Sequence, residues 1–534
     1  LTIGPVTQQQ YDVIVVGSGG GALAGAALAA RAGLSVAVVE RTDLLGGTSA
    51  YSGGACWLPG SQVQQRAGLP DSTQGARDYL AAILPDAHEP ATRARVEAFL
   101  AHAPELVAEL EGDPDLAFEW LPFPEYYDAP GRVPMGRSIQ PVAVKRDQLP
   151  APVAGLVRPP VELDRVGAPG RRTLTGGQAL VARLALVVLR EGGTVLTRHT
   201  MTELVVEDDR VVGVRCTTPG SGQGSTPGSA ASVELRARRG VLVAAGGFEG
   251  NAALRARHAV PGEVAWSMAP RGTNRGEPIE AAVAVGAATD FSALGWFCPG
   301  LEQPDGGGSF TLGFRSGVMV DASGRRYANE SLPYDRFGRA MAAAAPGDPE
   351  RVPSWFVFDS REGGRLPGIA MPEGDPAEHL AAGTWVQADT VAGLAAAAGL
   401  PPETLTATVE RYNGFCATGV DEDFGRGDDE YDTFFTAGEG PNRALTPIEV
   451  GPYLAARFVL SDLGTKGGLV TDAAARVLRD DGSPIAGLYA AGNSTASLFG
   501  SVYPGPGAPL GSAMVFASLA VREMVADSSG PGIV

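Results

Sequence analysis

Residues 11–40 read YDVIVVGSGGGALAGAALAARAGLSVAVVE. The apolar run 11–16 predicts a buried strand, 17–21 a tight turn, 22–32 a helix of small residues, and 35–40 a second strand. Strand, turn, helix and strand in that order make a βαβ unit. Its turn, Gly17-Ser18-Gly19-Gly20-Gly21-Ala22, fits the pattern G-x-G-x-x-[GA]. Such glycines permit a sharp bend, close approach of a pyrophosphate and close helix packing, while the helix N-terminus offers N–H groups and a positive dipole end. Glu40 closes the second strand about twenty residues later, where a carboxylate accepts hydrogen bonds from a ribose. The unit is read as the binding site of a dinucleotide with a free ribose.

Working outward, 534 residues exceed one ordinary domain, and a prior of about 150 residues per domain suggests two to four units. Hydrophobic residues at 44% against 19% charged fit a large core and argue against disorder. Sixty acidic against forty-two basic residues leave a formal charge of -18, which disfavours nucleic acid as a partner. Cys56, Cys216, Cys298 and Cys416 are far apart, and the five histidines are scattered, so neither a disulfide scaffold nor a metal site is expected. Residues 1–10 lack a basic stretch followed by an apolar run, so no signal peptide is expected. The longest charge-free run, 482–521, is broken by four prolines and many glycines, unlike a membrane span. A cytoplasmic protein without stable membrane insertion is the expectation.

Helical segments dominate 71–111, and 118–137 reads as an irregular, aromatic, proline-rich loop. A helix is read over 173–190, strands at 194–197 and 201–206, a hairpin from 211–216 and 233–235, and a strand at 240–245. The 219–230 connector reads as a surface loop with no chemistry. From 295 to 464 the texture turns aromatic, with alternating short strands and helices. The expected organisation is a Rossmann-like α/β domain from both chain ends, 1–294 and 465–534, with an α+β catalytic domain, 295–464, inserted between them.

Further glycine-rich stretches extend the dinucleotide reading. After Glu40-Arg41 comes a loop with Gly47, Thr48, Ser49, Ser52 and Gly54; then Ala245, Gly246, Gly247 and Asn251; then Gly492 and Asn493; then Leu510 and Gly511. The last pair opens a helix whose dipole suits the N1–C2 carbonyl edge of a flavin. Together, in this order, they resemble the FAD-binding domain of the succinate dehydrogenase and fumarate reductase superfamily. No His lies between Gly46 and Gly54 to form the covalent flavin link of the respiratory members, so non-covalent FAD is expected. The inserted region holds Arg325, Arg326, Arg336 and Arg339 but only one histidine, His379, which weakens a dicarboxylate reading.

A closer resemblance, over nearly the whole chain, is to bacterial 3-ketosteroid Δ1-dehydrogenases. It rests on residues 46–59 (GGTSAYSGGACWLP), 123–127 (FPEYY), 329–339 (NESLPYDRFGR), 461–470 (SDLGTKGGLV) and 503–511 (YPGPGAPLG). The resemblance implies removal of hydrogen from C1 and C2 of a 3-ketosteroid, with the C1 hydride passing to flavin N5 and the electrons then to a quinone-type acceptor. It implies Tyr334 as the base for the C2 proton, assisted by Tyr126, which a shift of one would exchange with Tyr127. It implies Tyr503 and the N–H of Gly507 as donors to the C3 oxygen. Pro504 and Pro506 have no N–H, so the donors available in that turn are Gly505 and Gly507. A phenol titrating near 10 needs lowering or a relay to act as a base. Phe123 and Phe310 are read either as lining an apolar substrate pocket or as core. Glu330 and Asp335 either perturb Tyr334 or pair at the surface with Arg326 or Arg336. The alternatives are a Δ4-(5α)-ketosteroid dehydrogenase, a fumarate reductase-like flavoprotein, a non-enzymatic flavin carrier and an NAD-dependent dehydrogenase. The sequence leaves the oligomeric state open.

Overall fold

The computed structural model describes residues 9–219, 230–436 and 438–527, with the short strand Thr2–Ile3. Most of 1–10 and the interior of the 219–230 connector lie outside the described residues. The chain is an α/β protein of two compact units: residues 1–254, 269–293 and 465–534 form the first, and 255–268 with 294–464 the second.

A nine-stranded sheet carries the first unit. Gln10–Val16 pairs in parallel with Val36–Val39 on one side and Ala230–Val243 on the other. The helix Gly20–Arg31 makes the crossover, and Gly17 shows why glycine opens it. Its φ is +103°, and a Cβ there would overlap the Ala244 carbonyl oxygen. Further along the helix, a Cβ on Gly21 would lie 2.8 Å from that of Ala513. The helix Ala508–Ala526 therefore packs almost backbone to backbone against it. Ala508–Ala526 is long and apolar enough to cross a membrane, and 61% of its apolar window is buried inside the protein.

The strands read separately at 233–235 and 240–245 are one, Ala230–Val243. It pairs antiparallel with Arg210–Pro219 over its first half and parallel with Pro484–Ala490 over its second. The charged run Arg236–Ala237–Arg238–Arg239 hid this continuity. Two of these arginines are satisfied by groups outside the strand, Arg238 by Asp12 at 2.8 Å and Arg239 by the carbonyls ending the last helix. The helix expected over 173–190 begins at Gly176, because Thr173–Leu174 pairs as a strand with Val144–Lys145. Within 118–137, Phe118–Trp120 joins Ser138–Pro141 and Cys56–Trp57 in a small antiparallel sheet.

The second unit is built on a seven-stranded sheet ordered Val318–Val320, Ser354–Asp359, Tyr453–Thr465, Gly295–Glu302, Gly308–Leu312 and Ile369–Met371, with Trp385–Ala388 also on Tyr453–Thr465. The helix Tyr334–Ala342 lies close on Gly295–Glu302, where a Cβ on Gly338 would come within 2.6 Å of Cys298 N. This unit also claims 255–268, which the expected boundaries place in 1–294. Asp462 holds that segment from three sides. It accepts from Arg255 at 2.7 Å and Ser267 Oγ at 2.8 Å, and its carbonyl accepts from Met268 N at 2.9 Å.

Candidate active site

At the first turn, Ser18 Oγ donates to Glu40 Oε2 at 2.6 Å and accepts from Gly46 N at 3.1 Å. Glu40 Oε1 accepts from the N–H and hydroxyl of Thr42, at 2.7 and 2.8 Å. The carboxylate is thus aimed by the protein, with lone pairs left for a ribose. Gly19 caps Gly20–Arg31 with no side-chain cap, and Ser49 Oγ accepts from Gly20 N at 3.0 Å. Arg41 is turned to Glu277 at 3.1 Å. At Gly47 (φ +48°) and at Gly53 a Cβ would meet no heavy atom within 4 Å, so the loop presents open backbone. Ser52 ties the loop to itself through Ser49 O and Gly54 N, and Thr48 Oγ1 accepts from Asn274 at 3.4 Å. Gly54 in turn lies so close to Gly176 that no Cβ fits between them.

The turn at Ala245, Gly246 and Gly247 is braced by Ser494 and Asn274, which the sequence did not single out, and by Thr465 of the 461–470 stretch. Ser494 Oγ accepts from Ala245 N at 3.0 Å and donates to Gly246 O at 2.8 Å. Asn274 packs on Gly246, and Thr465 on Gly247. Half-buried Asn251 spends its side chain on the protein, its Oδ1 accepting from Ala253 N and Leu254 N and its Nδ2 donating to Arg275 O. Gly492 (φ +67°) faces Ala513, Leu510 packs over Gly20, and Gly511 lies against the Trp57 carbonyl. Asn493 follows Gly492 in a short 3-10 turn. The four glycine-rich stretches thus converge in one unit around open backbone and an aimed carboxylate. That arrangement fits an extended dinucleotide, and the residues between Gly46 and Gly54 include no His for a covalent link.

Beside this cradle, the buried rings of Tyr126 and Tyr503 meet edge to face with centroids 5.2 Å apart, and Phe123 lies 6.4 Å from Tyr126. Tyr503 opens the turn 503–507, whose carbonyls are held from behind. Pro504 O accepts from Tyr126 N at 3.1 Å and Tyr79 Oη at 2.7 Å, Pro506 O from Ser138 Oγ at 2.6 Å, and Gly507 O from Trp57 N at 3.2 Å. Lys466 Nζ donates to the carbonyls of Ser501 and Val502 just before it. Gly507 (φ +82°) is the N-cap of Ala508–Ala526, and its N–H makes no hydrogen bond among the described residues. Gly505 N–H makes none among them either. A buried phenol beside unbonded N–H groups at a helix N-terminus can hold an oxygen that gains negative charge.

In the second unit, Tyr334 is the first residue of Tyr334–Ala342 and is 7% exposed. The ring of Phe310 stands edge to face against it at 4.8 Å. Behind this helix start lies a buried ionic network rather than surface pairs. Glu330 accepts from Arg326 at 2.8 Å and Arg426 at 3.1 Å, Arg326 also reaches Asp421, and Arg426 Nε donates to Ser331 Oγ at 3.0 Å. Asp335 pairs with Arg339, one helical turn on, at 3.1 Å. Of the surface alternative read from sequence, the Glu330–Arg326 pair is present but buried, because 329–339 folds inward.

A family model described as FAD binding domain matches residues 12–510. The chain is 42% identical to a 3-oxosteroid 1-dehydrogenase of Rhodococcus opacus, over 96% of this chain and 98% of that one. It is 37% identical to a 3-oxosteroid 1-dehydrogenase of Mycobacterium tuberculosis, over 98% and 100%. Among solved structures it resembles the 3-ketosteroid delta1-dehydrogenase of Sterolibacterium denitrificans in complex with 1,4-androstadiene-3,17-dione. That match has a TM-score of 0.86 and 31% identity, and covers 97% of this chain and 100% of the other.

Proposed function

Because the chain belongs to the FAD-binding flavoproteins and, among them, to the 3-oxosteroid 1-dehydrogenase family, we propose that it desaturates 3-ketosteroids between C1 and C2. The product is the 3-keto-1,4-diene when the substrate is a 3-keto-4-ene steroid. FAD, when bound, would supply the two-electron acceptor for the hydride removed from C1, with a quinone-type compound as the final acceptor.

The observation that carries this reading is the turn 503–507. Its carbonyls are tied back, Tyr503 is buried, and the N–H of Gly507 makes no hydrogen bond among the described residues, which supports assigning both as donors to one oxygen. Tyr503 and Gly507 donate to the C3 oxygen as it becomes enolate-like, which acidifies C2. Tyr334 takes the C2 proton, and Tyr126 assists by hydrogen bonding. Phe123 and Phe310 contribute apolar walls suited to a flat, mostly hydrocarbon substrate. FAD is held without a covalent bond by Gly17, Ser18, Gly19, Gly20, Gly21 and Glu40, by the loop Gly47–Gly54, and by Gly246, Gly247, Gly492, Asn493, Leu510 and Gly511. On this reading the first unit is the FAD-binding domain, and the second carries the proton acceptor.

The test mixes the flavin-loaded protein anaerobically with androst-4-ene-3,17-dione and follows the flavin band. Bleaching with formation of a 1,4-diene is expected. Tyr334→Phe and Tyr503→Phe should stay yellow and bleach slower by roughly 100-fold or more. Bleaching only by a saturated 5α-3-ketosteroid would move the assignment to Δ4 chemistry, and no bleaching by either would remove it.

A further inference from the structure

Tyr79 lies on the helix Thr73–Ile83, is fully buried, and belongs to none of the stretches that carry the resemblance. Its phenol donates to Pro504 O at 2.7 Å and accepts from the N–H of Tyr127 at 3.2 Å. One hydroxyl thus joins the turn bearing Tyr503 to the segment bearing Tyr126. Pro504 O also accepts from Tyr126 N, so the two segments meet at a single carbonyl. Burial, with the Glu125 charge second, holds the Tyr79 phenol well above its ordinary range. A neutral phenol donates to one partner and accepts from another at once, as these two bonds require.

Its surroundings are stiff. Arg137 lies over the rings of Trp57 and Tyr79, at 5.5 and 5.7 Å. The same guanidinium reaches Glu125 Oε1 at 2.6 Å and Asp71 Oδ1 at 2.9 Å, with all three side chains buried. Glu125, next to Tyr126 in sequence, also accepts from Trp57 Nε1 and Val133 N, both at 2.8 Å. Gly505 packs directly on Trp57, where a Cβ would sit 3.1 Å from the indole. Every charged group here has partners, as a buried ion pair requires if it is to specify one geometry.

We propose that Tyr79, backed by Arg137 and Glu125, is a positioning residue that sets the separation of Tyr126 from Tyr503 and the aim of the Gly507 N–H. The inference rests on the 3-ketosteroid reading above. It concerns transition-state alignment, so its loss should appear in kcat more than in KM.

The experiment compares flavin-loaded wild type, Tyr79→Phe and Ser138→Ala in steady-state turnover of androst-4-ene-3,17-dione. A second readout is the C3 carbonyl stretch of bound androsta-1,4-diene-3,17-dione by isotope-edited infrared difference. Tyr79→Phe should lower kcat by about 10- to 100-fold with KM changed by less than about threefold. The carbonyl stretch should move back toward that of the free steroid as the hydrogen bonds to it loosen. Ser138→Ala, which releases Pro506 O from the same turn, should shift both readouts in the same direction. A folded, yellow Tyr79→Phe with wild-type kcat and stretch, or with only a lower melting point, overturns the inference. If Tyr79→Phe does not load flavin, wild-type values in Ser138→Ala overturn it. A wild type that the steroid does not reduce overturns the underlying reading and the inference with it.

Discussion

At His379 the imidazole is enclosed, with Nδ1 2.8 Å from Thr384 Oγ1 and the ring 4.9 Å from that of Trp385. Burial presses its pKa down from 6.5 to about 4, and Asp375 opposes this only in part. The folded state therefore keeps it neutral where the unfolded chain takes up a proton. The resulting stability is complete above pH 6.5 and is lost as the pH falls through about 4. The melting temperature of wild type should drop over that window more steeply than that of His379→Asn, which retains a hydrogen-bonding group toward Thr384. Equal slopes would show that another group is responsible. The same burial removes His379 as a dicarboxylate ligand. Arg326 is likewise committed, to Glu330 and Asp421, so neither is free to clamp a carboxylate.

Two glycines of the cradle differ in what surrounds them, and the difference separates folding from cofactor binding. At Gly17 a Cβ would overlap the carbonyl of Ala244 in a neighbouring segment of the sheet, and φ is +103°. Gly17→Ala is expected to lower the melting point of the apoprotein and abolish flavin loading together. Gly47, at φ +48°, has no neighbour within 4 Å of a Cβ, so Gly47→Ala faces only left-handed backbone strain of about 1–2 kcal/mol. If the cofactor lies over that loop, the variant should bind FAD at least tenfold more weakly while the apoprotein melts within a few degrees of wild type. Flavin fluorescence titration reads this, and an unchanged affinity would move the cofactor off the loop. The elements themselves obey local rules: Ser72, Thr390 and Asp375 each cap a helix through a side-chain oxygen at the position a helix start demands.

For the molecule as a whole, the first unit is assembled from segments at both ends of the chain, and on the proposed reading its glycine turns hold one cofactor. Binding energy for that cofactor is therefore stability of the unit. Adding FAD to apoprotein should stabilise the fold by about 2.7 kcal/mol at a free concentration 100 times Kd, and raise the melting temperature in proportion to the logarithm of FAD. NAD should do neither. A rise with NAD equal to that with FAD would contradict the flavin assignment.

The βαβ unit was legible because its signals are local: an apolar run, a glycine turn and a carboxylate at fixed spacing depend on neighbours within about 30 residues. The tyrosine-bearing segments were legible as strings, since Tyr126, Tyr334 and Tyr503 each sit in a short motif. What holds them was not. Tyr79 meets Pro504 across 425 positions, and Ser138 meets Pro506 across 368. The segment 255–268 joins the second unit through Asp462, about 200 positions on. A hydroxyl or carboxylate carries no mark of the distant backbone group it will satisfy. That partner is decided only when burial leaves each polar group a choice between the one group within reach and none. Sequence alone therefore determined the flavin-binding architecture and displayed the tyrosine motifs proposed to carry the chemistry. Tertiary structure decided which buried side chains, Tyr79 and Ser138 among them, hydrogen-bond to those segments.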